Sequence, residues 1–437
     1  MPTSATQPPF LGLARLMRQN TSGVLMAPLA QTLIARASDD PREAGALMDA
    51  SVILQFYGQS ELALLLQAEA LKTQRHYCQP AALPARLRLL MLMAPGGIAD
   101  NVPLECLLED CDIELHQYYL TDADDDLSQL PDHDLLFVAL CETETNHPLL
   151  QSLASQLATW PRPVLNVPQH IPRVARDSAS RLLSALPGVL MPSNLRLPRA
   201  QLQALAQTDG AQVAAALGLA FPLIVRPVDS HAGHHLYKID SPAELAQALE
   251  QMPGDEGFVA PFIDYRDADG QFRKYRVMLI GGRPYPAHGA ISSHWMIHYV
   301  NAHMAESEAK RAEETRFMAD FDTSFALRHG AALQAMDQAL GLDYWGMDCA
   351  ETADGRLLVF EVDTAMVVHA MDPIDLYPYK QPAMRRLFAA FRDLLFQTAG
   401  RTTPPTGLNI CEKRTQLFRR TGHPARRGAG PGSAGHR

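Results

Sequence analysis

Residues Tyr344 to Asp363 read YWGMDCAETADGRLLVFEVD, and this stretch predicts two strands joined by a tight turn. The turn signal is Ala353-Asp354-Gly355, flanked by two apolar runs. A four-residue loop over 353–356 would pair Thr352 with Leu357 and so set Asp348 opposite Glu361. Side chains alternate along a strand, so Glu361 and Asp363 share one face. Like charges directly opposite each other destabilise a sheet unless something positive lies between them, and a hard divalent cation such as Mg²⁺ takes oxygen ligands of this kind. The hairpin therefore reads as a metal site formed by Asp348, Glu361 and Asp363. The competing reading is a solvated acidic strand face.

Working outward, the helix-like run from Ala331 to Leu340 leads into this hairpin, and KYRVMLIGGRPYPAH (274–288) precedes it as two strands turning at Gly281-Gly282. Alternation puts Lys274 and Arg276 on one face of the first strand. GFVAPFI (257–263) reads as another strand. FPLIVRPVDSHAGHHLYKI (221–239) reads as strand, loop, strand, with the small polar loop 229–234 suited to folding over an anion through backbone N–H groups. Arg226 closes the first of those strands and projects a fixed positive fork toward the loop. A helix over Ala179 to Leu186 and a second one after Pro192 come before them.

Further toward the N-terminus, LRLLMLMAP (87–95), HDLLFVALC (133–141) and PVLNVP (163–168) are short apolar runs alternating with helix-like stretches around 104–108 and 149–157. That alternation predicts a parallel sheet covered on both faces, a small α/β domain. Residues 41–79 carry apolar positions at helical spacing, with Leu47, Val52, Leu54 and Phe56 before Gly58, then Leu62, Leu65, Leu66, Ala70 and Leu71. This predicts a helical pair. GQSELALLLQAEAL (58–71) is similar to one degenerate tetratricopeptide repeat, and a plain helical hairpin is the alternative.

The 437 residues suffice for two or three domains. No apolar run approaches the roughly 20 residues that cross a bilayer, and MPTSATQPPF lacks the regions of a secretory signal, so a cytoplasmic location and no membrane partner are expected. Six cysteines without C-x-x-C spacing argue against a disulfide framework and a structural zinc site, and read as reduced packing residues. The net charge of −10 is unevenly spread: eight of the 38 Lys and Arg follow Gly400 with the single Glu412. The preceding body, with 30 basic and 47 acidic residues, stands at −17 and the tail at +7. The tail, 401–437, has no apolar period and is expected to be disordered. A basic tail without a stacking or base-reading element predicts no nucleic-acid partner. The glycine pair after the first apolar run, Gly96-Gly97, does not make the G-x-G-x-x-G fingerprint of a nicotinamide site, and H-E-x-x-H, G-x-S-x-G and the P-loop pattern are absent from the chain, which removes the zinc-hydrolase, serine-hydrolase and P-loop classes.

In order and spacing, FPLIVRP with its SHAG loop, FVAPFI, KYRVMLIGGRPYP and GMDCAETADGRLLVFEVD resemble the ATP-grasp superfamily from Arg176 to about Pro373. The similarity is to its glutathione-synthetase-like and ribosomal-protein-modifying glutamate ligase branches, and to bacterial members with N-terminal tetratricopeptide segments. The fold it implies is α+β: an ATP-grasp domain of two α+β lobes (171–400), preceded by a small α/β domain (83–170) and an N-terminal helical segment (1–82), with the tail (401–437) beyond.

The resemblance implies ATP, with Mg²⁺ or Mn²⁺, as the nucleotide and metal, and the joining of a carboxylate to an amine through an acyl-phosphate. Arg226 stands where a phosphate-binding lysine is usual, and Arg276 where an arginine faces the γ-phosphate; surface ion pairs are the plainer reading of both. Ser230, His231 and Gly233 would lie over the phosphates, and Val259, Ala260, Phe262 and Ile263 would hold adenine. Asp348 and Glu361 match metal carboxylates, while Asp363 replaces a common asparagine. Around AHGAISSHWMIHY (287–299), His288, Ser293, His294 and Trp295, with Ser292 and His298, form the implied acceptor wall, or are ordinary packed and surface residues. The implied partners are small-molecule or peptide carboxylates and amines, with a protein partner offered by the N-terminal helices. A regulatory ATP-binding module that has lost ligase chemistry is the alternative.

Overall fold

The computed structural model describes residues 10–40, 42–228, 230 and 233–403; His231 and the basic tail beyond Thr403 lie outside them. The chain begins with four helices, α1 (Leu13–Thr21), α2 (Met26–Asp39), α3 (Ala44–Phe56) and α4 (Ser60–Thr73). Leu16, Met26, Leu33, Ala46, Ala50 and Ile53 form the core of this bundle. The entry to α1 is fixed by Asp49, whose buried carboxylate accepts the Leu11 and Gly12 N–H groups at 2.7 and 2.9 Å. Gly12 has φ +78°, and a Cβ there would sit 2.2 Å from Gln79 Nε2, so this position requires glycine.

The expected helical pair is present, but α4 lies on the opposite face from the one the leucines suggest. Leu62, Leu64 and Leu65 are exposed, while Ala63, Gln67, Ala70 and Leu71 are buried. Small alanines let α4 approach closely, and Gln67 exchanges two hydrogen bonds with Gly96, at 2.8 Å from its N–H and 3.0 Å to its C=O. The helical pattern does not extend to Gln79, because His76–Gln79 is a strand, β1.

β1 opens a five-stranded sheet with β2 (Leu87–Met93), β3 (Ile113–Tyr119), β4 (Leu135–Val138) and β5 (Val164–Leu165), in the order β1-β3-β2-β4-β5. All neighbours are parallel except β1, which runs antiparallel to β3 at the edge. The continuous apolar run of β2 follows from burial on both faces. Leu89, Met91 and Met93 enter one core cluster, and Leu90 and Leu92 enter another. The expected α/β sheet is thus present, with β1 and β3 added to the three strands read from the sequence.

After the short β6 (Val189–Leu190), an antiparallel sheet forms from β7 (Leu195–Pro198), β8 (Leu223–Pro227), β9 (Tyr237–Ile239) and β10 (Glu256–Pro261), ordered β7-β10-β8-β9. It has its own core, built from Leu202, Val213, Val225, Leu245 and Val259 among others. The last sheet takes β11 (Phe272–Ile280), β12 (Arg283–Ser292), β13 (Tyr344–Glu351) and β14 (Leu357–Asp363), with order β12-β11-β13-β14-β6. The architecture is α+β: a mostly parallel sheet is followed by an antiparallel one and then by one that is antiparallel except where β6 runs parallel to β14. The Gly281-Gly282 turn is where it was expected, and both glycines have positive φ (54° and 76°), as a two-residue hairpin turn requires. Asn166, just past β5, ties the first sheet to the last. Its amide oxygen accepts the Asp343 and Tyr344 N–H groups at 2.9 Å, and its nitrogen donates to the Tyr344 C=O at 2.7 Å.

Candidate active site

Asp348 does face Glu361 across β13 and β14, but not by the expected route. Glu351, not Thr352, pairs with Leu357, and a register shift after Asp348 restores the 348–361 pairing. The extra residue of this β-bulge lies on β14 and turns Glu361 back toward its partner. One strand further, Arg276 pairs with Asp348 and with His288. The side chains of His288, Arg276, Asp348 and Glu361 therefore form one row across β12, β11, β13 and β14.

The positive charge that this row needs comes from the protein. Arg276 donates to Asp348 through Nε and Nη2 at 2.8 and 3.0 Å, and Lys274 Nζ donates to the same carboxylate at 2.7 Å. Burial by itself would raise the Asp348 pKa, but the Arg276 and Lys274 charges hold it well below the usual carboxylate range. Burial likewise opposes the Arg276 charge, and the adjacent Asp348 carboxylate more than offsets it. Glu361 is partly buried, and Arg176, which forms an ion pair with it, keeps its pKa below the ordinary value against the desolvation that would raise it. Asp363 accepts the Ala365 N–H at 2.9 Å. All three carboxylates line one cavity. Their oxygens are not gathered to metal-ligand spacing in this arrangement; among the described residues that spacing occurs on another sheet.

The cavity has a volume of about 340 Å³, at the lower end for small-molecule sites, which run from roughly 300 to 1,000 Å³. Its apolar lining includes Ile224, Leu236, Ala260, Phe262, Trp295 and Phe360. Its charged lining comprises Arg176, Arg226, Lys274 and Arg276 together with the three carboxylates. β7 pairs with β10 as far as Val259, whereas β8 stays with it to Pro261. From Ala260 to Ile263 the chain thus runs along the cavity with a sheet partner on one side. Ala260, Phe262 and Ile263 line it, as does Gly233, while the Val259 side chain belongs to the core of the second sheet.

Arg226 is buried, with 7% of its surface exposed. Its Nε donates to Ser230 Oγ at 2.8 Å and its Nη2 to the Ser230 C=O. Burial, then the neighbouring Arg176 charge, push its pKa down to about 9, which leaves it cationic at pH 7. The surface ion-pair reading of Arg226 is thereby corrected: the loop pulls it inward.

The expected acceptor wall is only partly assembled. Trp295 lines the cavity, whereas Ser293 and His294 are exposed and outside its lining. His288 packs against Tyr299, with ring centroids 4.8 Å apart, and burial together with Arg276 holds its pKa well below the usual imidazole value, so it is neutral. His298 does line the cavity, and its buried Nδ1 has no hydrogen-bond partner. A second, polar recess shares Arg176, Glu361 and Asp363 with the cavity and adds Glu142, Glu144, His147, Asp177 and Arg196. Arg176 is the functional candidate that sequence reasoning missed. Its sequence signal, an Arg-Asp pair at a helix start, is shared by many ordinary helices.

No protein-family model matches the chain, and no curated protein does. Among the solved structures that align with it is a D-alanine–D-alanine ligase from Bacillus anthracis complexed with ATP, at 14% identity and a TM-score of 0.44, covering 72% of this chain and 96% of that one. A RimK domain ATP-grasp protein from Sphaerobacter thermophilus aligns at 16% identity and a TM-score of 0.41, covering 70% and 99%. The VanG D-Ala:D-Ser ligase from Enterococcus faecalis aligns at 14% identity and a TM-score of 0.44, covering 74% and 100%.

Proposed function

We propose that this chain is an ATP-grasp enzyme, an ATP- and Mg²⁺-dependent ligase that joins a carboxylate to an amine on a small molecule or peptide. One observation carries the reading: a single cavity combines an apolar lining, bordered by residues 260–263 at the partly unpaired end of β10, with four cations and three carboxylates. That polarity suits a nucleotide, with adenine along Ala260, Phe262, Ile263 and Trp295, and phosphates at Arg226, Lys274, Arg276 and Arg176. In this reading residues 171–400 form the catalytic unit, 83–170 the preceding α/β domain and 1–82 the helical segment. The free cysteines of the described chain suit a cytoplasmic enzyme.

The donor set fits a hard divalent cation, since Asp348, Glu361 and Asp363 supply only oxygen. When bound there, Mg²⁺ would neutralise phosphate charge and orient the transferring group. Asp348 and Glu361 neutralise Arg276, Lys274 and Arg176; a cation held by these carboxylates would compete with the ion pairs and leave the three side chains available to phosphate. Arg276 and Arg226 then stabilise charge as the substrate carboxylate attacks the γ-phosphorus, giving an acyl-phosphate and ADP. An amine entering by the recess of Glu142, Glu144 and Asp177 attacks the acyl carbon and displaces phosphate. The apolar wall and the loop bearing Ser230 and Gly233 keep water from the intermediate.

A second reading, a regulatory ATP-binding module that controls a protein partner, is favoured by one detail: the Lys274 and Arg276 contacts already engage both oxygens of Asp348. ADP release from ATP and Mg²⁺ across pools of amino acids and dipeptides, with Glu361→Gln as control, separates the two. Substrate-stimulated release that disappears in the variant supports the ligase. Tight ATP binding with no turnover in any pool rejects it in favour of the module.

A further inference from the structure

The outer edge of the first sheet brings together four side chains that the sequence keeps about 40 residues apart. Cys78 pairs with His116 across β1 and β3, and His76 pairs with Tyr118. Since side chains two apart share a face, His76 and Cys78 from β1 and Glu114 and His116 from β3 stand on the same side of this edge. The burial of β3 alternates so that Ile113, Leu115 and Tyr119 face the core and Glu114 and His116 do not. One ligand atom each from Cys78, Glu114 and His116 lies within 4.8 Å of the other two. Tetrahedral bonds of about 2.0–2.3 Å to sulfur, nitrogen and oxygen need separations of about 3.3–3.8 Å, so the side chains would close by up to about 1.5 Å through rotation on binding.

The second observation is the support around His116. One ring nitrogen lies 2.9 Å from Glu114 Oε1, and the other lies 2.9 Å from His76 Nε2, the two rings stacked at a 13° interplanar angle. A ligating imidazole is typically held through its other nitrogen in this way. Arg88, beside Glu114 on β2, directs its guanidinium to Asp132 and Asp134. Cys78 is the exposed cysteine among those described. None of these residues lines the nucleotide cavity. A polar edge decoration would explain the Glu114–His116 pair but not the thiol placed opposite it.

We propose that Cys78, Glu114 and His116 form a binding site for a borderline-soft divalent ion of the Zn²⁺ type, with His76 orienting His116 and a fourth position open to solvent or a ligand. Thiolate, imidazole and carboxylate together select Zn²⁺ over Mg²⁺, which takes oxygen. The spacing of cysteines along the chain argues against C-x-x-C zinc sites, and this site needs none, because strand pairing supplies the convergence. The test uses the full chain, stripped with a chelator and titrated with Zn²⁺ by calorimetry and with Co²⁺ by absorption. One equivalent is expected, with a thiolate-to-Co²⁺ charge-transfer band that Cys78→Ser abolishes and Cys411→Ser leaves in place. His116→Ala and Glu114→Gln should each weaken binding by roughly 100-fold, and His76→Ala by about tenfold. Survival of the band in Cys78→Ser, or Zn²⁺ affinity unchanged in both Cys78→Ser and His116→Ala, would overturn the proposal.

Discussion

Arg276 and Asp348 sit opposite each other on β11 and β13, and two guanidinium nitrogens meet the two carboxylate oxygens at 2.8 and 3.0 Å. This fork is the centre of the charged row, and Asp348 is only 1% exposed. Arg276→Ala leaves a buried carboxylate that keeps its Lys274 contact but loses the fork, and should cost about 3–5 kcal/mol. Arg276→Lys keeps the charge, loses the two-pronged geometry, and should cost less. Urea unfolding of both variants measures the difference; equal stability of Arg276→Ala and the parent protein would refute the buried-pair account.

Trp295 should report nucleotide entry. The chain has three tryptophans. Trp345 is buried against Asp337, and Trp160 stacks on His133, while Trp295 lines the cavity. Adding ATP with Mg²⁺ should change the emission of the parent protein, and Trp295→Phe should remove most of that change. An undiminished response in Trp295→Phe would move the nucleotide elsewhere.

Gly346 has no room for a side chain. A Cβ would lie 2.5 Å from Met278 Sδ and 2.8 Å from Met366 Sδ, and Gly346 pairs with Asp363. Gly346→Ala should therefore destabilise by about 1–3 kcal/mol, the flexible methionines absorbing part of the clash. A thermal melt checks this, with a lowered midpoint expected.

Asp49 makes the helical bundle sensitive to pH. Burial raises its pKa to about 7, with the Gly12 and Leu11 N–H groups acting in the other direction. A carboxyl held above its unfolded value of about 3.9 binds more protons folded than unfolded between these values. Stability should therefore fall as pH rises from 4 to 7, by at most about 1.4 kcal/mol per unit, and level off above. Thermal melts across this range should show the slope in the parent protein and not in Asp49→Asn.

Much of the fold was legible where local pattern and burial agree. The turn signal 353–355 between two apolar runs identified the hairpin, and the apolar run 87–93 identified a strand buried on both faces. The leucines of α4 misled, because Leu62 and Leu65 keep helical spacing yet face outward, and the alanine face makes the contact. His76–Gln79 continued a helical pattern and became a strand because β3 offered an edge to pair with. In the site, Trp295 and the three carboxylates reach the cavity, whereas Ser293 and His294 do not.

The sequence by itself determined the strongly apolar strands such as β2 and the 344–363 hairpin, the glycine turns and which residue types could carry charge, since these depend on contacts within a few residues. Only the tertiary structure decided what neutralises each charge. Arg176 reaches Glu361 across 185 residues, Lys274 and Arg276 close on Asp348 across 74 and 72, and Cys78 meets His116 by strand pairing. Such partnerships are chosen by packing and desolvation summed over the whole chain, and a buried carboxylate accepts whichever cation the fold delivers to it.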